Sequence, residues 1–271
     1  MNNPSSKFPN EAEVVIVGVG GIVGSMVAYW LAEMGQKNIV GLEKSTIIPS
    51  DIASTAHASD FVYNTTHDKL GCWATNFSRK FYEDNGFFLK KGGLEICRTD
   101  DDARWEELKR KVESGKAFGT NVRLISAAEA KEKFPLLDEG SIRGAMWDPD
   151  AGLVTPRSQD VVNFAVETAK DKGALKTFTD TPATGFEIEG GRITGVKTEK
   201  GLIRTKTVVV TSGILGPLMG DMAGVPVPLM PVEHPLLFFG PLPEIQGTEE
   251  LLVYPLLRDQ GNSAYVRDTG R

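Results

Sequence analysis

Four glycines near the start of the chain are the residues best suited to bind a ligand. They are Gly18, Gly20, Gly21 and Gly24, and they directly follow a short apolar run. Without side chains, a turn lets backbone N–H groups approach a pyrophosphate, and the next helix N-terminus adds a partial positive charge. Glu43 stands about 20 residues beyond the last glycine, where dinucleotide-binding folds place the carboxylate that bonds a ribose hydroxyl. The spacing therefore predicts a dinucleotide site.

The glycine spacing departs from G-x-G-x-x-G by one residue. If the motif begins at Gly18, Val23 occupies its third glycine position. If it ends at Gly24, Val19 occupies its first. Both registers stay open, as does a glycine-rich connection that serves close packing alone.

The chain has three histidines, and two of them lie where they could serve chemistry. His57 follows the Ser-Thr-Ala sequence in a polar loop, and His234 lies in an apolar stretch flanked by prolines. A neutral imidazole nitrogen can act as a nucleophile or as a base. The alternatives are a hydrogen-bonded loop histidine and a buried, satisfied one. His67 belongs to no motif, and we expect it on the surface.

The elements around the glycines are predicted as strand, helix and strand over residues 13–17, 22–34 and 38–42. The apolar runs suit buried parallel strands, and Gly35 suits the left-handed end of the helix. A β-branched run over residues 207–211 predicts another buried parallel strand that ends at a ligand crevice.

The rest of the chain leaves this alternation. A helix over residues 70–85 carries Leu70, Trp73, Phe77 and Phe81 at helical spacing, a stripe that we expect in the core. Ser126 and Glu129 form a capping box. A further helix is predicted over residues 155–172, beginning at Thr155 and Pro156. Hairpins are predicted over residues 87–97 and 185–197, and late strands over residues 233–239, 251–257 and 263–267.

The composition is that of a globular protein, with 271 residues, 41% hydrophobic and 24% charged. The net charge of −6 offers no basic surface for nucleic acid or anionic lipid, so neither is expected as a partner. The two cysteines, Cys72 and Cys97, have no metal-ligand spacing, and no metal is predicted. Because neither a signal sequence nor a long apolar run is present, we expect a cytoplasmic protein.

With these motifs placed, the chain resembles the flavin-dependent amine oxidases of the D-amino-acid oxidase superfamily. Within that superfamily it is most similar to the N-terminal portion of the dimethylglycine dehydrogenase/oxidase and sarcosine dehydrogenase group. The resemblance runs from the glycine turn to the end through the blocks LEK, STAHAS, KKGGLEICRT, FPLLDEGSIRGAMWDPDAGLVTP, GGRITGV, TVVVTSG and PVEHPLLFF. Asp60 departs from it, since the group usually has glycine there.

The resemblance implies an α/β fold in which a Rossmann-like, FAD-binding dinucleotide domain is built from separated segments. Residues 1–60 and 155–224 would form that domain. Residues 61–154 and 225–271 would form a substrate-binding domain with an antiparallel sheet (α+β). Family members continue through a segment that covers the flavin ring, and we expect this completion to be missing here.

The resemblance also implies which residues contact FAD. The histidine of the STxH block, His57, would bond the flavin covalently, the backbone at Ala183 would contact adenine, and Ser212 and Gly213 would form a second loop near the flavin. The full set implied to bind FAD is Gly18, Gly20, Gly21, Gly24, Glu43, Lys44, Ser54, Thr55, His57, Ala183, Ser212 and Gly213.

The activity implied is oxidative demethylation of a small N-methylated amino acid, of the dimethylglycine or sarcosine type, through an iminium. His234 and Tyr265 would be catalytic, orienting the amine and keeping it unprotonated. Oxygen or an electron-transfer flavoprotein would accept the electrons, and tetrahydrofolate would bind only through a C-terminal domain absent from this chain. The alternatives are another FAD-dependent amine or amino-acid oxidase, and a non-catalytic FAD-binding fragment or subunit that needs a partner chain.

Overall fold

The computed structural model describes residues 8–246 and 248–269, which form two units. The first unit contains the residues up to Ala58 together with Arg157–Pro235. The second contains Ser59–Pro156 together with the residues from Leu236 onward. Each unit is therefore built from two separate stretches of chain.

The described residues contain both parallel and antiparallel sheets. The strands are β1 (Val14–Val17), β2 (Ile39–Leu42), β3 (Phe61–Val62), β4 (Phe88–Lys90), β5 (Gly93–Arg98), β6 (Arg123–Ser126), β7 (Ile142–Asp148), β8 (Gly152–Val154), β9 (Leu175–Phe178), β10 (Ala183–Glu189), β11 (Arg192–Thr198), β12 (Gly201–Arg204), β13 (Val208–Val210), β14 (Leu256–Asp259) and β15 (Ala264–Val266). The α-helices are α1 (Ile22–Glu33), α2 (Lys69–Asp84), α3 (Asp102–Ala117), α4 (Ala127–Lys133), α5 (Ser158–Asp171) and α6 (Gly216–Ala223).

A four-stranded parallel sheet organises the first unit. Its strand order is β13-β1-β2-β9, so β1 pairs with β2 on one side and with β13 on the other. The β-branched residues of β1 are buried on both faces, as the apolar run predicts. Strand β13 lies at the edge of the sheet, and its Val210 is exposed, so the prediction of a fully buried strand there is wrong.

The two faces of β1 pack into different clusters because successive side chains alternate across a strand. Val14 and Ile16 pack with residues of α1 and α5. Val15 and Val17 pack against the other cluster, which includes residues of the antiparallel β10-β11-β12 sheet and of α6. These layers hold the carboxyl end of β1, where the glycines begin.

Strands β10 and β11 form the predicted hairpin, and Gly190 and Gly191 both have positive φ at its turn. This is the conformation that two-residue hairpin loops favour. The sequence did not indicate the third strand, β12.

The second unit contains a five-stranded sheet in the order β15-β14-β5-β7-β6 and a small sheet in the order β3-β8-β4. One face of β5 directs Leu94 and Ile96 into an apolar cluster that includes residues of α4. Its other face directs Cys97 into a cluster with Leu108 and Val112 of α3. Ser126 and Glu129 form the predicted capping box at the start of α4.

One pairing and one strand predicted from the sequence are wrong. Strands β4 and β5 do not form a hairpin, because β4 pairs with β8 and β5 pairs with β7 and β14. Residues 233–239 form no strand, and this stretch is exposed. A strand needs a neighbour to receive its backbone hydrogen bonds, and an apolar pattern does not say whether one is within reach.

Two helix predictions also need correction. The stripe expected in the core from α2 is mostly exposed, since only Phe81 is buried while Leu70, Trp73 and Phe77 face solvent. Helix α5 begins at Ser158 rather than near residue 155. The amide of Thr155 instead donates to Phe87 O at 3.0 Å and so extends the pairing of β4 and β8.

Candidate functional site

The glycine turn lies between the end of β1 and the start of α1. Gly18 has φ +94°, and a Cβ there would lie 2.7 Å from Thr211 O. A Cβ on Gly24 would lie 2.3 Å from Gly18 O. Gly18 therefore takes the tight turn, and Gly24 allows α1 to approach the turn closely.

The same geometry distinguishes the two middle glycines. A Cβ on Gly20 would lie 2.5 Å from Glu43 Oε2, whereas a Cβ on Gly21 would have no neighbour closer than Thr55 Oγ1 at 3.6 Å. Gly20 is thus required by a close approach and Gly21 is not. The three glycines that the geometry requires are therefore Gly18, Gly20 and Gly24. The turn that they form is one residue longer than G-x-G-x-x-G, so neither of the two registers left open by the sequence holds.

Glu43 joins the end of β2 to the glycine turn. Its Oε2 accepts a hydrogen bond from Gly20 N and its Oε1 accepts one from Ser45 N, both at 2.9 Å. The residue is buried, with 6% of its surface exposed. Because each carboxylate oxygen can accept more than one hydrogen bond, the group retains capacity for a ribose hydroxyl.

The N-terminus of α1 is capped from a distant loop. Its N-cap residue, Gly21, has no side chain, and Thr55 Oγ1 accepts from Ile22 N at 3.0 Å instead. Within the described residues, the amides of Gly21, Val23 and Gly24 donate to no protein acceptor. Unpaired amides at the positive end of a helix dipole are the groups that bind phosphate.

Two buried hydroxyls near the turn also lack hydrogen-bond partners among the described residues. They belong to Ser50, in the loop after β2, and to Ser212, after β13. Ser50 N donates to Gly20 O at 2.9 Å, and Ser50 Cβ lies 2.9 Å from the position that a Cβ on Gly20 would occupy. The loop after β2 contained no motif that singled out Ser50.

Thr211 fixes the end of β13 against the glycine turn. Its Oγ1 donates to Val17 O at 2.9 Å and is 3.1 Å from Gly18 O, while its amide donates to Val17 O at 2.9 Å. Ser212 occupies the N-cap position of a short 3₁₀ turn that begins with Gly213, whose φ is +54°, but its hydroxyl makes no capping hydrogen bond. The Thr211 contacts could not be read from the sequence, because the two partners are nearly 200 positions apart.

The STAH block forms a 3₁₀ turn over Ser54–His57. Thr55 is buried and supports α1, whereas Ser54 and His57 are exposed. Arg157 Nη2 donates to Ala56 O at 3.1 Å and ties the turn to the start of α5. The His57 ring therefore projects from a loop that is anchored on both sides.

The other residues expected to contact FAD are more scattered. Lys44 is exposed beside Glu43. Ala183 is buried at the start of β10. It belongs to the same apolar cluster as Val15 and Val17 of β1. Neither side chain makes a contact that ties it to the glycine turn in the part of the chain described.

The two residues expected to be catalytic lie in different units. His234 is exposed in the irregular stretch that ends the first unit. Tyr265 lies on β15, where its ring is 5.9 Å from that of Phe61 and 5.2 Å from Arg258 Cζ. Asp60, which departs from the family pattern, is buried and has φ +64°, a conformation that favours glycine.

No helix within residues 8–246 and 248–269 combines the length and apolar character needed to cross a bilayer. Over the same residues, no cluster of three His, Cys, Asp or Glu side chains is arranged to hold a metal ion.

Comparison with known proteins places these features in one family. The family model described as FAD dependent oxidoreductase (DAO) matches residues 13–271. Sarcosine dehydrogenase, mitochondrial, of Homo sapiens is 29% identical over 280 residues, covering 98% of this chain and 29% of that protein. Dimethylglycine dehydrogenase, mitochondrial, of Homo sapiens is 29% identical over 269 residues, covering 97% of this chain and 30% of that protein. This chain thus spans under a third of the length of these relatives.

A solved structure shares the fold. The crystal structure of L-proline dehydrogenase from P. horikoshii superposes with a TM-score of 0.79 at 30% sequence identity. The match covers 97% of this chain and 68% of that one. The predicted fold class is confirmed.

The first prediction uses the difference between the two middle glycines. Gly20→Ala should lower the free energy of unfolding by about 1–3 kcal/mol, because the new Cβ displaces Glu43 from its amide donor. Gly21→Ala is the matched control and should cost less than about 1 kcal/mol. Urea titration of both variants without added FAD measures the difference. Equal losses would contradict the assigned roles.

The second prediction concerns the Ser50 hydroxyl. Ser50→Ala removes a buried hydroxyl that has no partner among the described residues, so the unfolding free energy of the protein without FAD should stay unchanged or rise by about 1 kcal/mol. The affinity for FAD should fall about tenfold if the hydroxyl bonds the cofactor. Ser45→Ala is the comparison, since its hydroxyl donates to Asp51 Oδ1 at 2.6 Å and its loss should lower stability. A variant that binds FAD as tightly as the parent would show that Ser50 has no such contact.

Proposed function

Because the chain belongs to the FAD dependent oxidoreductase (DAO) family, we propose that it forms part of an enzyme that oxidises the C–N bond of a small N-methylated amino acid. The substrate would be of the dimethylglycine or sarcosine type. The observation that carries this proposal is similarity over nearly the whole chain to two dehydrogenases named for those substrates.

The residues at the glycine turn suit the dinucleotide half of FAD. The unpaired amides at the start of α1 would bind the pyrophosphate, and Glu43 would accept a hydrogen bond from the ribose. The buried hydroxyls of Ser50 and Ser212 have unmet hydrogen-bonding capacity that a polar ligand would satisfy. We therefore assign FAD binding to the first unit and substrate binding to the second.

The flavin supplies, when bound, an acceptor for hydride from the N-methyl carbon. Loss of hydride leaves the substrate as an iminium, and water then adds to it and releases formaldehyde and the demethylated amine. The nitrogen lone pair must be free for this step, so the protein has to bind the amine unprotonated.

Tyr265 and His234 are our candidates for that task. Tyr265 stands on a strand, and its ring contacts that of Phe61 and lies close to Arg258. His234 lies in an exposed stretch, and its role would require that stretch to order around the substrate. Oxygen or an electron-transfer flavoprotein would reoxidise the cofactor, and tetrahydrofolate would act only through a further domain. A cytoplasmic location stays a prediction, because the two human relatives are described as mitochondrial.

A second candidate substrate is a cyclic secondary amine. The fold superposes on L-proline dehydrogenase at a TM-score of 0.79, and proline shares with sarcosine a secondary amine next to a carboxylate. Both candidates need the same hydride transfer and differ only in the carbon that is oxidised. A role as a subunit completed by a partner chain is compatible with either.

The third prediction separates these substrates. Under anaerobic conditions, dimethylglycine and sarcosine should bleach the flavin absorbance of the FAD-loaded protein. Betaine is the matched control, because its quaternary nitrogen has no lone pair and should leave the flavin oxidised. Bleaching by L-proline alone would replace the N-methyl substrate with the second candidate.

The fourth prediction concerns a covalent link between His57 and the flavin. The imidazole is exposed on an anchored turn, so it is available to react with the flavin 8α-methyl group. Flavin fluorescence should migrate with the acid-denatured protein on a gel and should be lost in His57→Ala. His67→Ala is the control and should keep it. Fluorescence that persists in His57→Ala would assign the bond to another residue.

A further inference from the structure

Helix α2 presents to solvent an apolar stripe that the proposed chemistry does not use. Leu70 is 71% exposed, Trp73 is 62% exposed and Phe77 is 46% exposed. The rings of Trp73 and Phe77 stack, with their centroids 5.4 Å apart. Single exposed apolar residues are ordinary on a protein surface, whereas a contiguous stripe with two stacked aromatic rings is typical of a contact surface.

The stripe continues along α2 with the spacing at which two helices pack. Its residues follow one another at alternating steps of three and four positions, and all of them are exposed: Leu70, Trp73, Phe77, Lys80 and Asp84. This repeat keeps side chains on one face of a helix and lets a second helix pack along its length. Together with Lys69, these residues form the exposed face of α2.

The two ends of this face carry opposite charges. Lys69 begins α2 and takes part in no ion pair among the described residues. Its neighbour Asp68 is engaged in capping, since it accepts from Gly71 N at 2.7 Å. Asp84 ends α2, and Lys80 Nζ donates to its two carboxylate oxygens at 2.8 and 2.9 Å. Because a carboxylate oxygen can accept more than one hydrogen bond, Asp84 can receive a second cation.

These features make the exposed face of α2 complementary to itself. If two copies of α2 lie antiparallel with their midpoints together, Lys69 of each copy faces Asp84 of the other, and Trp73 of each faces Lys80 of the other. The first pairing is an ion pair and the second is a cation–π contact. The aromatic rings of both copies meet at the centre. Antiparallel alignment also places the positive end of each helix dipole beside the negative end of the other.

We propose that the exposed face of α2 binds the same face of a second copy of this chain and forms a two-fold symmetric dimer. A two-fold axis requires a patch that is complementary to itself, and each pairing then occurs twice. Any other partner would have to match both the aromatic centre and the opposite charges at the ends, which this face already does. The contact goes beyond the proposed function, because it needs neither FAD nor the amine substrate.

The contact is small, because each copy contributes one helix of 16 residues. Interfaces that bury less than about 1,200 Å² in total are usually weak and transient. We therefore expect a reversible dimer with a dissociation constant between about 1 μM and 1 mM.

Sedimentation velocity of the FAD-loaded full chain at rising concentration measures this equilibrium. Trp73→Lys should weaken dimerisation at least about tenfold, because it removes the central aromatic ring and puts a cation opposite Lys80 of the other copy. Met34→Lys is the matched control, since it makes the same kind of change at a residue of the first unit that is 80% exposed. It should leave the dissociation constant unchanged. Both positions are exposed, so both variants should fold.

Reversal of the end charges tests the antiparallel alignment. Lys69→Glu should weaken the dimer about fivefold, because two attractive contacts become repulsive, and Asp84→Lys should do the same. The two changes combined should restore the parent affinity to within about twofold. The helix dipole favours an acid at the N-terminus and a base at the C-terminus, so α2 should tolerate both. Lys116→Glu, near the exposed end of α3, is the control and should have no effect.

The inference is overturned if the parent sediments as a monomer up to about 1 mM, which is also the result expected if another polypeptide covers this face. It is overturned as well if Trp73→Lys associates as Met34→Lys does, since another surface then holds the copies together. Single charge reversals without effect, or a combined reversal that fails to restore the affinity, would rule out the antiparallel pairing. A dimer that Trp73→Lys disrupts and that the combined reversal restores supports the proposal.

Discussion

The hydrogen bond from Gly20 N to the Glu43 carboxylate is the contact on which the candidate dinucleotide site depends. It joins the turn after β1 to the end of β2, and Ser45 N holds the other carboxylate oxygen. The contact requires glycine at position 20, because a Cβ would overlap the carboxylate. Within the described residues, the amides of Gly21, Val23 and Gly24 at the start of α1 have no protein acceptor, and they are our candidates for binding a phosphate.

The same turn depends on a distant part of the chain. Strand β13 returns to pair with β1, and Thr211 at its end donates to Val17 O and lies close to Gly18. Thr55 supplies the cap that α1 lacks. The glycine turn, the loop that contains Thr55 and the end of β13 thus meet beside the N-terminus of α1. Such a meeting is usual where parallel strands end at the same edge of a sheet.

The second unit uses its sheet differently. One face of β5 packs Leu94 and Ile96 into an apolar cluster, while Glu95 on the other face is buried with Lys111 beside Arg258. A buried ion pair contributes little to stability when compared with apolar packing of similar volume. Near this pair, Arg258 Nε and Gln260 Oε1 are buried and have no hydrogen-bond partner among the described residues.

The sequence by itself determined the β1-α1-β2 unit, the Gly190–Gly191 hairpin and the capping box at Ser126, because each is specified by side chains close together along the chain. It also indicated Glu43, whose distance from the glycines follows from the length of one helix and one strand. Only the tertiary structure decided that β4 and β5 belong to different sheets, that the Trp73 stripe is exposed, and that Ser50 and Thr211 reach the glycine turn. Periodicity reports which face of an element is apolar, but the partner of that face is set by contacts between residues far apart in the chain, which no local pattern encodes.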